Sequence, residues 1–241
     1  MKLLNSGSRR FQEMTASGTS VEFYDKIASE YDQKMEDDKP NQKVRSQVKA
    51  YFLDQVDSGL VLDFGAGTGL DLEWQLAAGY RVVFYEPSSN MARRAEVQHG
   101  ISENPNIRPL IGAEATIDNL RMLEDHSLNA VFSNFAALNS VEDLGKVFAV
   151  FTKKLKPGGH LICVMTHNFN WVDRVKSILK NIIAGSPNSV AKTVTMDSGH
   201  SMKVHYHSRH AIKAYGHRNG LRFKNEFPLG FEGHRLSHFI K

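Results

Sequence analysis

The segment Val61-Leu62-Asp63-Phe64-Gly65-Ala66-Gly67-Thr68-Gly69 constrains this chain more than any other. A short apolar run enters three closely spaced glycines, and the apolar spacing of Leu70–Ala78 then predicts a helix, stopped by Gly79. Glycine reaches positive φ without a steric penalty and lets a ligand approach the backbone closely. Sheets built from strand–turn–helix units of this kind take their ligands at the carboxyl ends of the strands, where the strand order reverses.

The flanking sequence extends the pattern. Strands are predicted at Arg81–Glu86, Asn106–Ile111, Ser127–Ser133 and His160–Thr166, with helices at Ser88–His99 and Val141–Leu155 between them. Lys156-Pro157-Gly158-Gly159 reads as the turn before the fifth strand. Such alternation implies parallel βαβ units in a doubly wound sheet. Residues 1–20 read as a loose tail, 21–38 as a helix, and Pro40 as the opening of a second helix that carries Val44, Val48, Tyr51 and Phe52 on one side. Beyond Thr166 the expectation is a helix over Asn170–Ala184, a polar loop or cap over Gly185–Gly199, a strand at Met202–His207, a helix at Ser208–Gly220 and a last strand at Leu221–Pro228. No linker divides the chain, so 21–241 reads as one domain whose last part completes the same sheet.

Composition narrows the class. Within 241 residues, 41% are apolar and 23% charged, as in ordinary water-soluble globular domains. No apolar run approaches the roughly 18 residues of a membrane helix. The start lacks the apolar stretch of a signal peptide. The single Cys163 excludes an internal disulfide and points to a reducing, cytoplasmic setting. Charge is uneven: residues 1–150 hold 15 Lys/Arg and 22 Asp/Glu, a net −7, and residues 151–241 hold 15 and 4, a net +11. An asymmetry of this kind is what an anionic ligand, or simply a solvated basic face, would produce.

Two nucleotide chemistries use a glycine turn after the first strand. A dinucleotide fingerprint wants its third glycine five residues after the first, and that position is Leu70. Asp63, two residues before Gly65, would also repel a pyrophosphate and attract a ligand with ammonium and sulfonium charges. A phosphate-binding loop fails because no Gly-Lys-Ser/Thr follows.

On these residues the sequence resembles the class I S-adenosylmethionine (SAM) dependent methyltransferases. Their first motif has the form hydrophobic-hydrophobic-Asp-x-Gly-x-Gly-x-Gly, which Val61–Gly69 matches throughout. The resemblance covers roughly 21–228, is strongest over 60–165, and is closest to the small-molecule branch typified by ubiquinone and menaquinone biosynthesis. It implies an α/β fold: a doubly wound, mostly parallel seven-stranded Rossmann-like sheet with an N-terminal helical lid at 21–56 and a substrate cap near 167–201. It also implies SAM as cofactor. Asp63, Gly65, Ala66 and Gly67 would form the cofactor turn, and Glu86 would accept the ribose hydroxyls. Pro87 follows, and Met91 would flank the adenine. In Gly112-Ala113-Glu114-Ala115, Glu114 and Ala115 would reach the adenine edge, although Thr116-Ile117 replace the family's Leu-Pro. Asn129 stands where the fourth strand normally begins with Asp. Tyr24 and Tyr31 belong to the lid, and Asn134 and Phe135 follow the fourth strand.

Sequence also limits the acceptor. Enzymes that methylate exocyclic base amines carry an Asn/Asp-Pro-Pro-aromatic tetrad after the fourth strand. Here Asn134 and Phe135 are present without prolines. Methylation at pyrimidine carbon-5 needs a cysteine nucleophile, and Cys163 falls inside a strand. Seven of the eleven histidines lie between 200 and 238. His205 and His207 share a strand face, yet no carboxylate or cysteine nearby completes a ligand set, so no metal is expected. His167, just past the fifth strand, is the candidate catalytic base. Phe169, Trp171, Arg174, Lys176, Lys180 and Lys192 would suit a planar, anionic or aromatic small-molecule acceptor reacting at oxygen or nitrogen. The same groups would also suit tRNA or rRNA, and a non-catalytic SAM-binding protein is the remaining alternative.

Overall fold

The computed structural model describes residues 18–167, 189–195, 201–230 and 233–241. Chain order gives α1 (Gly18–Asp37), α2 (Lys39–Gln55), β1 (Leu60–Phe64), α3 (Leu72–Ala77), β2 (Arg81–Glu86), α4 (Ser89–His99) and β3 (Ile107–Ile111). It continues with α5 (Ile117–Arg121), β4 (Leu128–Ser133), α6 (Leu144–Lys154), β5 (Leu155–Thr166), β6 (Ser189–Thr195) and β7 (Ser201–His207). The last elements are α7 (Arg209–Arg218), β8 (Arg222–Pro228) and β9 (His234–Ile240).

Seven strands form one sheet in the order β3-β2-β1-β4-β5-β9-β8. All neighbouring pairs are parallel except those made by β9, which runs against both β5 and β8. The strands carry apolar residues continuously because both faces are covered. Along β2, Val82 and Phe84 pack on the face of α2, α3 and α4, while Val83 and Tyr85 pack on the face of α5, α6 and α7. Val44, Val48 and Phe52 of α2 and Phe148 and Phe151 of α6 are fully buried in the two layers. Each such side chain contributes about 1.5–3 kcal/mol of transfer free energy.

Helix starts follow local chemistry. Asp38, Ser88, Thr116, Asp143 and Ser208 each cap the helix that follows through a side-chain oxygen. Pro40 occupies the first turn of α2, and Gly100 ends α4 in the left-handed conformation.

The structure corrects several sequence expectations. Helix α1 begins at Gly18, inside the stretch read as tail. Strand β5 starts at Leu155, so Lys156–Gly159 lie within it, at the point where its register with β4 shifts. Residues 189–195, read as polar loop, form a strand that pairs with β7 in a separate two-stranded ribbon, so β7 is not part of the main sheet. Leu221–Pro228 is not the last strand: β9 follows and inserts between β5 and β8. The expected helix at Asn170–Ala184, the cap residues Phe169, Trp171, Arg174, Lys176 and Lys180, and residues 1–17 lie outside the described residues.

Candidate active site

The strand order reverses between β1 and β4, and a cleft opens at their carboxyl ends. Its floor is the glycine turn. Gly65 and Ala66 both donate their N–H to the Tyr85 carbonyl, at 2.9 and 3.0 Å, and Phe64 stacks on Tyr85 with ring centres 4.6 Å apart. Gly65, Gly67 and Gly69 all have positive φ. A Cβ on Gly65 would lie 2.4 Å from the Ala137 Cβ, whereas one on Gly67 would meet nothing within 4 Å. Gly67 therefore borders open space that a ligand can occupy.

Two carboxylates line this space. Asp63, on β1, is 3% exposed and accepts a hydrogen bond from Gln75 Nε2 at 3.0 Å. Burial pushes its pKa up to about 8, Asp71 adds to the rise, and Gln75 and Arg45 offset part of it. Glu86 ends β2 and is 6% exposed. Its Oε1 accepts from Ser88 N at 2.7 Å and its Oε2 from Gly67 N at 2.8 Å. Burial outweighs these two bonds and raises its pKa to about 7.

Helix α1 supplies Tyr24 and Tyr31 to the lining, their rings edge to face at 6.4 Å. Burial, Tyr31 and Glu86 push the Tyr24 phenol pKa up, so it is a donor at neutral pH. The opposite wall is the turn after β4. Phe135 and Ala136 both adopt positive φ, 44° and 61°, a strained pair held by Ala136 N on the Val164 carbonyl at 3.0 Å. Asn134 Nδ2 donates to Asp71 Oδ2 at 3.0 Å and its Oδ1 accepts from Phe135 N at 2.9 Å. Both ends of that amide are thus engaged in shaping the wall.

The cleft gathers Tyr24, Tyr31, Asp63, Gly65, Ala66, Gly67, Glu86, Pro87, Met91, Asn134 and Phe135. Glu114 and Ala115 are not among its lining. The Glu114 side chain is exposed on a single turn, and Ala115 is buried in the core, its carbonyl accepting from Tyr85 OH at 2.8 Å. His167 also lies outside the lining. Its Nδ1 sits 3.0 Å from the His207 carbonyl, its Nε2 is buried without a partner, and burial lowers its pKa. His205 and His207 are buried, and among the described residues no His, Cys, Asp and Glu cluster could hold a metal. Among the described residues no helix is long and apolar enough to cross a membrane.

Sequence reasoning missed Arg45 of α2. Its guanidinium enters the cleft 4.6 Å from the Phe135 ring centre and 3.0 Å from Asp71 Oδ1. Its Nη1 makes that ion pair, and among the described residues its buried Nε has no hydrogen-bond partner. Nothing local distinguishes one Arg in a helix rich in charged and polar residues.

The methyltransferase domain family matches residues 31–224. The chain belongs to that family. It is a class I, SAM-dependent methyltransferase. Searched against curated proteins, the sequence gives no match. Among similar solved structures, the complex of DhpI with SAM and HEP is 18% identical, with a TM-score of 0.63 over 99% of this chain and 100% of that one. The Burkholderia thailandensis 1,6-didemethyltoxoflavin N1-methyltransferase, solved with that compound and S-adenosylhomocysteine (SAH), is 13% identical, with a TM-score of 0.57 over 100% and 93%. The Haloferax volcanii protein solved in complex with the Trm112 methyltransferase activator is 17% identical, with a TM-score of 0.63 over 91% and 96%.

The residues of the cleft fit SAM. Among the described residues, two buried carboxyls have no cation on their own oxygens, a glycine opens onto free space, and a guanidinium paired with Asp71 through Nη1 keeps its buried Nε without an acceptor. These match a ligand with cationic, diol and carboxylate parts.

Proposed function

We propose that this methyltransferase acts on a small-molecule acceptor at oxygen or nitrogen. The observation that carries the reading is the roof over the cleft. Tyr24 and Tyr31 of α1 face the strained Phe135 turn across the site, which suits a compact, planar acceptor better than a polynucleotide needing an open basic groove. That one structural neighbour was solved with 1,6-didemethyltoxoflavin supports the same reading.

When bound, SAM supplies an activated methyl group on a sulfonium. In this reading Glu86 accepts the ribose hydroxyls, Asp63 balances the positive charge, and Arg45, held by Asp71 through Nη1, offers its Nε to the α-carboxylate. Gly65, Ala66 and Gly67 give close backbone approach, and Pro87 and Met91 flank the base. Glu114 and Ala115, which lie outside the lining, have no part in this reading. Asn134 holds the acceptor wall in place, and the Phe135 and Tyr24 rings sandwich the acceptor. An amine acceptor needs no base beyond water. For a hydroxyl a base is needed; His167, its hydrogen fixed on Nδ1 by the His207 carbonyl, serves in this reading only for an acceptor whose hydroxyl extends past the cleft lining to its Nε2.

The test incubates the enzyme with methyl-labelled SAM and either tRNA or a metabolite extract, at low and high salt. Label in small molecules, with weak tRNA binding, is the expected result. Tight tRNA binding with label in RNA, and a log–log salt slope of about −0.7 per phosphate contact, would replace this reading with the nucleic-acid one.

A further inference from the structure

Helix α1 carries the same dipeptide twice, Tyr24-Asp25 and Tyr31-Asp32, seven residues apart. Seven residues is close to two helical turns, so the pairs repeat along one side. The tyrosines line the cleft. The aspartates each hold a different cofactor loop.

Asp25 grips the loop after β2. Its Oδ1 accepts from Ser88 Oγ at 2.6 Å and from Asn90 N at 2.9 Å, and Asn90 Nδ2 donates back to the Asp25 carbonyl at 3.0 Å. Ser88 is the residue whose N–H holds Glu86 Oε1. Asp32 grips the loop after β1. Its Oδ1 accepts from the Thr68 hydroxyl, inside the glycine turn. Its Oδ2 accepts from Arg94 Nε at 3.3 Å, Arg94 Nη2 at 3.1 Å and Gln98 Nε2 at 2.8 Å. Asp32 is 6% exposed, and four donors converge on its two oxygens, so its loss would leave several polar groups short of an acceptor.

We infer that Asp25 and Asp32 are positioning residues that make docking of α1 and ordering of both cofactor loops one event, so that their release sets how fast the cofactor product leaves. The inference rests on the reading of the cleft as the cofactor site. Neither aspartate is among the cleft's lining residues; both act through Ser88, Thr68 and the lid tyrosines.

The test measures SAH release by displacement in stopped flow, with the KM for SAM, kcat, and hydrogen exchange over 18–37 and over β1–β5. The proteins are wild type, D32N and R94M; R94M removes the ion pair from the outer side of α4 without altering the lid or either loop. The expected result is SAH release at least tenfold faster in D32N and several-fold faster in R94M. The KM for SAM should rise by a similar factor and kcat change less than threefold, with added exchange in 18–37 and in the loops at 65–70 and 87–90, and none in the strands themselves. If D32N does not fold, the R94M result decides. Unchanged SAH release in R94M and in any folded D32N overturns the latch alone. Wild-type protein that binds no SAH overturns the cleft reading and the latch with it.

Discussion

Gly67 donates its N–H to Glu86 Oε2 at 2.8 Å, which fastens the acid at the end of β2 to the glycine turn at the end of β1. In the proposed binding mode the cofactor's ribose and its amino-acid chain meet parts of one hydrogen-bonded unit. Replacing Glu86 with Ala removes a charged acceptor worth about 1.5–3 kcal/mol. The KM for SAM should rise about 10- to 150-fold, and Glu86→Gln should fall between the variant and wild type. Initial-rate kinetics against SAM concentration checks this.

Asp63 should give the ligand-free protein a pH-dependent weakness. Its folded pKa, about 8, lies above its ordinary value of 3.8, so its contribution to stability is full below about pH 4. That contribution is lost progressively as pH rises through the folded value. Glu86, raised to about 7, acts in the same direction. Asp63→Asn cannot ionise. Its melting temperature relative to wild type should therefore climb between pH 4 and 8 and level off above. A difference that stays flat over that range would remove the buried-carboxyl account.

Gly65 and Gly67 should respond differently to the same change. An alanine at Gly65 puts its Cβ against the rigid Ala137 Cβ at φ +78, so the turn must shift and the fold should weaken. An alanine at Gly67 meets no protein atom; it pays roughly 1–2 kcal/mol of left-handed strain and should fold while blocking SAM. Thermal melts with and without SAH separate the two outcomes.

The legibility of this chain followed burial. Strands β1, β2, β4 and most of β5 are buried on both faces, so their apolar runs ending in glycine or polar turns could be read directly, and with them Asp63, Glu86 and Asn134 at the strand ends. Strand β9 could not, because its interior is polar by composition. His234, Ser237 and His238 are buried there, and His238 bridges Tyr51 and His160 at 2.9 Å on each side. Strand β6 hid behind Ser, Thr and Lys, in a ribbon outside the main sheet. Arg45, Asp25 and Asp32 share a further reason. Their roles arise from contacts 26 to 90 residues away in sequence, where helical spacing carries no information.

Asn139 should be a structural keystone for the ribbon beside the cleft. It is 2% exposed; its Oδ1 accepts from Thr166 N at 3.0 Å, and its Nδ2 donates to the Thr166 and His205 carbonyls at 3.2 and 2.9 Å. Asn139→Leu keeps much of the volume and strands three backbone groups. At about 1–3 kcal/mol for each group left unsatisfied, with partial relaxation, the loss should be about 2–4 kcal/mol, read from the urea midpoint.

Calorimetric titration of the purified protein with SAM, SAH and NAD in parallel tests the central claim, that the cleft between α1 and the glycine turn holds SAM. The account predicts saturable one-to-one binding of SAM and SAH that Gly67→Ala abolishes, and no heat from NAD. Binding of NAD with none of SAM or SAH would contradict it.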